Sequence, residues 1–178
     1  MKILIKQAQV ISPSSPFNGQ IKDSLIENGR IAKIADAINE NAGLVIEHKG
    51  LCVRIGWMDL FADFGDPGFE QKENIDTGTL AAAAGGFTDV MLIPNSNPVV
   101  DNKAQVEYIV QKAKQAPVNI HPSGAVSKRT EGKELSEMYD MHQSGALAFG
   151  DGIHSLQNSG MLLKALQYVK SFNGTVIQ

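Results

Sequence analysis

The chain has 178 residues, 43% apolar and 20% charged, the composition of one globular domain or of one domain with a small appendage, which excludes disordered, collagen-like and coiled-coil classes. Sixteen Lys and Arg against nineteen Asp and Glu give a formal charge of -3 with no basic stripe, so nucleic acid is not an expected ligand. A single cysteine, Cys52, excludes an internal disulfide and any multi-cysteine zinc motif, and it fits a reducing, cytoplasmic compartment.

The opening MKILIKQAQVIS is interrupted by Lys2 and Lys6 and lacks the continuous apolar core of a signal peptide. No stretch approaches the roughly 20 apolar residues that span a bilayer, so no membrane partner is expected. Residues 1–52 read as strands and turns. Ile3-Leu4-Ile5 and Val10-Ile11 precede a Pro/Ser-rich turn at 12–16. The alternating runs 24–27 and 30–35 flank Asn28-Gly29, a strong hairpin signal, and Leu44-Val45-Ile46 is a third candidate strand.

From Cys52 onward the texture becomes strand, helix, strand at the spacing of βα units. Strands are expected at 53–60, 87–93, 118–125, 146–150 and 174–178. The alanine run 81–84 before Gly85-Gly86 marks the end of a first helix. A second helix over 103–115 places Val106, Ile109, Val110 and Ala113 on one face, with Asn102 and Gln105 at the cap and N3 positions. Leu135, Met138, Tyr139 and His142 repeat the pattern before Gly145, and Leu162, Ala165, Leu166 and Val169 repeat it before Asn173-Gly174. Strands 87–93 and 146–150 are almost wholly apolar, as parallel strands covered on both faces are. An α/β barrel and a doubly wound sheet both satisfy this pattern.

Four blocks decide between them: Gly56-Trp57-Met58-Asp59, Asp66-Pro67-Gly68-Phe69-Glu70, Gly85-Gly86-Phe87-Thr88 and Pro94-Asn95-Ser96-Asn97-Pro98-Val99. In this order and spacing, and with Gly124-Ala125-Val126-Ser127-Lys128 and Gly145-Ala146-Leu147-Ala148-Phe149, the chain resembles dihydroorotases of the amidohydrolase superfamily along essentially its whole length. The resemblance implies a small N-terminal β-sandwich portion, residues 1–52, leading into a (β/α)8 barrel whose chemistry sits at the carboxyl ends of the strands. A whole barrel takes about 250 residues. Residues 53–178 reach strand 5, so the chain is expected to be the first half of the barrel and a portion of a longer protein.

The family reaction interconverts dihydroorotate and carbamoyl aspartate, and paired zinc ions supply the activated water and the polarised carbonyl. The resemblance implies a first ligand pair in a His-x-His-x-Arg-x-Pro-Gly pattern, which here reads Phe61-Ala62-Asp63-Phe64-Gly65-Asp66-Pro67-Gly68. Phe61 has no donor atom. Asp63 retains oxygens as a weak metal candidate, although a polar residue capping the turn before Pro67 accounts for it equally simply. Gly65 stands where the family arginine would hold a substrate carboxylate. Asn95 matches the substrate-binding asparagine, or serves its own Pro-Asn-x-Asn-Pro turn. Asp151, in Phe149-Gly150-Asp151-Gly152, is the surviving candidate for catalysis or metal binding where the family has two aspartates. Of the four histidines, only His121 and His154 are placed to approach a barrel mouth, and their spacing matches no zinc motif.

These substitutions lead to the expectation that zinc is not tightly held. Three functions remain open: a non-catalytic member of the family that self-associates and partners aspartate carbamoyltransferase; an active cyclic-amide hydrolase with an altered single-metal site; and a binding barrel that uses the Asn95 region without catalysis.

Overall fold

In the computed structural model, which describes residues 1–178, the chain forms two units, Met1–Ile55 and Gly56–Gln178. In the first, the two short apolar runs near the start belong to one long strand, β1 (Lys2–Ile11), which is central to a five-stranded sheet. It pairs antiparallel with β2 (Ile21–Glu27), parallel along its first half with β4 (Leu44–Glu47) and parallel along its second half with β5 (Cys52–Arg54). The hairpin from β2 to β3 (Arg30–Ala35) turns at Asn28-Gly29, both at positive φ, as a two-residue primed turn requires. Leu4, Leu25 and Ile38 form its small core. A bulge in β1 puts Gln7 at φ 50. Buried Asp23 holds the bulge, accepting the Gln7 amide at 2.9 Å on one oxygen and the Ile38 amide at 2.9 Å on the other.

The single strand expected over 53–60 is two strands. β5 ends at Arg54 and belongs to the first sheet, and β6 (Trp57–Ala62) begins the second. Gly56 marks the change: its Cα lies so near Thr88 that a Cβ would come within 2.1 Å of the threonine methyl. The second sheet runs β6, β7 (Phe87–Leu92), β8 (Asn119–Gly124), β9 (Ala148–Phe149), all parallel. The strand expected at 174–178 is reduced to one parallel bridge, Phe149 to Val176, and the one expected at 146–150 is the two residues of β9.

Helices cover one face of this sheet, in the order α1 (Ile75–Ala84), α2 (Lys103–Lys112), α3 (Met138–Gln143) and α4 (Ser159–Lys170). Each of the three longer ones is capped by an asparagine: Asn74 accepts from the Thr77 amide, Asn102 from Ala104, and Asn158 from Gly160 and Met161. α3 is shorter than its periodicity implies. Leu135 precedes it and bridges Ser127 in an antiparallel pair, because the Lys128–Glu134 loop folds back on itself through Lys128 N to Glu134 O. Side chains alternate as parallel strands dictate. Val90 and Leu92 pack with Ile75, Val106, Ile109 and Met141 in the main core, and Met91 and Ile93 line a concave-side cavity with Leu60 and Phe61, consecutive residues that both reach it where the register of β6 against β7 shifts between Asp59 and Ala62. The architecture is a curled α/β half-barrel plus a separate sheet. No helix is long and apolar enough to cross a membrane.

Candidate functional site

The carboxyl ends of β6, β7, β8 and β9 open into four loops, which hold Asp63, Gly65, Asn95, Asp151 and His154, while Phe61 and His121 lie within strands. Phe61 is the penultimate residue of β6, half exposed on the concave side, where it lines an apolar cavity of about 130 Å3 with Leu60, Met91, Ile93 and Phe149. Its surroundings are mostly hydrocarbon, with Ser123 and Gln178 the polar side chains of the lining, which suits a phenyl ring; the ring itself offers no donor atom to a cation.

Asp63 is exposed just beyond β6. One of its oxygens accepts the Gly65 amide at 2.9 Å, the local turn that aspartate favours two residues ahead of an amide. Gly65 is left-handed, φ 64, and a Cβ there would stand 3.0 Å from the Phe69 carbonyl oxygen and 3.1 Å from the Phe69 Cβ. The Phe69 amide donates back to the Gly65 carbonyl at 2.6 Å. The turn is therefore built around the missing side chain.

Asn95 joins two loops. Its Oδ1 accepts the Ile153 amide at 3.0 Å and its Nδ2 donates to the Asp151 carbonyl at 3.2 Å. Gly152 passes so close that a Cβ there would overlap the Asn95 Oδ1, at 1.7 Å. Both polar ends of Asn95 are thus engaged by the loop after β9. Asp151 is 3% exposed, and its carboxylate faces the loop after β8: Oδ1 accepts the Ser127 amide at 2.9 Å and Oδ2 accepts the Ser127 hydroxyl. The Ser127 oxygen accepts in turn from the Gly132 amide at 2.8 Å. His121 lies in the body of β8, its Nε2 2.9 Å from Asp89, and His154 is exposed in the loop after β9.

Zinc needs about four donors, mostly nitrogen or sulfur, with lone pairs directed at one point. No group of three or more His, Cys, Asp or Glu side chains converges in that way. Phe61 contributes none, Asp151 spends both oxygens on Ser127, and one oxygen of Asp63 is turned to Gly65. The residues present do not fit the group that the resemblance implies.

Asp66, which the sequence offered only as part of a motif, has a fully buried side chain in the same loop. It accepts the Lys112 ammonium at 2.6 Å, the Tyr108 hydroxyl at 2.9 Å and the Ile75 amide at 3.1 Å, tying the loop to α2 and to the start of α1. Burial pushes its carboxyl upward, but the bonds from Lys112, Ile75 and Tyr108 outweigh it and hold the group below its ordinary 3.8. The same contact holds Lys112 well above the usual lysine range. Asp89 is lowered too, by His121 first and then by Thr88 and Asn119. The signal for Asp66 was present in the helix pattern: Tyr108 and Lys112 are four residues apart, on one face of α2.

With this geometry the similarities are specific. The family model described as dihydro-orotase-like matches residues 50–177. A dihydroorotase of Acetivibrio thermocellus is 43% identical over 176 residues, covering 98% of this chain and 41% of the relative. One of Syntrophus aciditrophicus is 41% identical over 181 residues, covering 99% and 42%. The chain thus spans about two fifths of the length of these curated relatives. Among solved structures, an L-hydantoinase (dihydropyrimidinase) from Arthrobacter aurescens superposes with a TM-score of 0.78 at 20% identity, over 98% of this chain and 39% of that one. A dihydroorotase crystal structure gives 0.67 at 12%, over 98% and 50%. The structural likenesses speak to fold.

Proposed function

Because this chain belongs to the dihydroorotase-like family of amidohydrolases, we propose that it serves pyrimidine biosynthesis in the cytoplasm as a non-catalytic scaffold, with aspartate carbamoyltransferase as the enzyme it docks on. The family reaction adds water to the ring amide of dihydroorotate to give carbamoyl aspartate, and bound zinc supplies the activated water and the polarised carbonyl. The observation that carries the reading is Asp151: the strongest remaining donor is buried and committed at both oxygens to Ser127. Phe61 in an apolar wall and Gly65 in a left-handed turn point the same way.

The test is to load the chain with zinc, dialyse it, count metal by elemental analysis and follow dihydroorotate hydrolysis. The expected result is substoichiometric zinc and no turnover above buffer. Stoichiometric zinc with substantial turnover would overturn the proposal in favour of a cyclic-amide hydrolase with a single metal, for which the second oxygen of Asp63, without an intramolecular partner, speaks.

The scaffold reading includes self-association. β6 is an edge strand of its sheet, with Trp57, Met58, Leu60 and Phe61 all about half exposed along it. An apolar edge of that kind invites pairing with another chain. Sedimentation velocity should show dimers or larger species at micromolar concentration, and a further boundary shift when aspartate carbamoyltransferase is added. A monomer indifferent to that enzyme would count against both interactions.

A further inference from the structure

Among the loops after β6, β7 and β9 lies a second cavity, of about 250 Å3, which the turns and clamps described above leave open. Its apolar walls are the ring of Phe69 and the side chain of Ile153, and Gly65 contributes no side chain to fill it. Its charged walls are Asp63, Lys72 and Glu73. Glu73 is engaged by the Thr77 hydroxyl at the start of α1. The other two have unspent capacity. Asp63 uses one oxygen on the Gly65 amide and leaves the other without an intramolecular partner. The Lys72 ammonium stands 5.1 Å from the centre of the Phe69 ring and makes no ion pair, unlike Lys112 nearby, which is paired to Asp66. An aromatic face orients an ammonium without neutralising it. One cavity therefore presents an unpaired cation, a half-used carboxylate and an apolar wall.

We infer that this cavity binds a free α-amino acid with an apolar side chain, its carboxylate on the Lys72 ammonium, its ammonium on Asp63 and its side chain against Phe69 and Ile153. The cavity suits a ligand of a few heavy atoms, and its lysine beside the carboxylates of Asp63 and Glu73 favours a ligand that carries both charges over a simple anion. The inference goes beyond the scaffold reading and needs no hydrolysis, so it stands or falls apart from it.

The experiment is calorimetric titration of the 178-residue chain with three probes: L-leucine, 4-methylpentanoate, which lacks the ammonium, and 3-methylbutylamine, which lacks the carboxylate. L-leucine should bind, and each truncated probe should bind at least about tenfold more weakly. Lys72→Met should weaken L-leucine by a similar factor and leave 3-methylbutylamine unchanged. Asp63→Asn keeps an oxygen for the Gly65 amide and should show the converse, weakening L-leucine and leaving 4-methylpentanoate unchanged. Absence of L-leucine binding at millimolar concentration, equal binding of all three probes, or binding indifferent to Lys72→Met would each overturn the proposal.

Discussion

Asp151 shows how one side chain can carry the identity of a functional group and the role of a fastener. Its two oxygens meet the Ser127 amide and hydroxyl, and Ser127 in turn receives the Gly132 amide, so removing the carboxylate strands two donors inside the protein. An unpaired buried donor costs about 1–3 kcal/mol. Asp151→Ala is expected to lower stability by about 2–4 kcal/mol, read from the urea midpoint at unchanged slope. A change below half a kcal/mol would mean that the carboxylate is held for something other than its fold. The sequence named Asp151 as a candidate and was silent on its orientation, because the partner is 24 residues away in another loop and no local pattern links the two. Asn95 is similar: its place in a Pro-Asn-x-Asn-Pro turn was legible, its bonds to Asp151 and Ile153 across the mouth were not.

At the scale of elements, the loop between β6 and α1 is defined by its glycine and its buried aspartate. Gly65→Arg would force a side chain into a left-handed position, and its Cβ would meet Phe69. The cost is about 1–2 kcal/mol, whereas Gly65→Asn, a residue that tolerates this conformation, should cost less. Equal thermal stability of the two variants would show that the turn relaxes freely. Asp66 gives the loop a pH dependence. Its folded carboxyl is depressed below 3.8, so its stabilising contribution is complete above that value and is lost as pH falls through the folded one. Stability should therefore decline below about pH 4, and Asp66→Asn, at a cost of about 2–4 kcal/mol near neutrality, should flatten the acid limb. An unchanged limb in that variant would place the acid sensitivity elsewhere, with Asp89 the next carboxyl to test. The Asn102 cap and the hairpin turn were readable because each signal lies within four residues, whereas the Asn74 and Asn158 caps were not named and Gln105 makes no reciprocal capping bond. The break at Ile55-Gly56 was not readable, since apolar residues lie on both sides of it and only the pairing of β5 with β1 and of β6 with β7 reveals that the two belong to different sheets.

For the molecule as a whole, the ordered set of blocks from Gly56 to Val99 carried the architecture, since βα units repeat at a spacing that a chain of this length reveals. What the order could not convey is how the irregular segments are secured. Among their backbone amides that bond to side chains distant in sequence are Ser127 to Asp151, Ile153 to Asn95 and Ile75 to Asp66, the last at the first residue of α1. Segments of this kind ordinarily trade their amide protons with solvent quickly, because nothing holds them closed. Here each proton is released only when a distant side chain lets go. In deuterium exchange followed by NMR these three amides should persist as long as those in the middle of β7, and Asn95→Ala should release Ile153 while leaving Ile75 protected. Rapid exchange at all three in the unaltered chain would mean that the clamps open far more often than their geometry implies. With the clamps closed, the loops at the barrel mouth behave as extensions of the sheet, so a ligand arriving there meets a surface already set in shape.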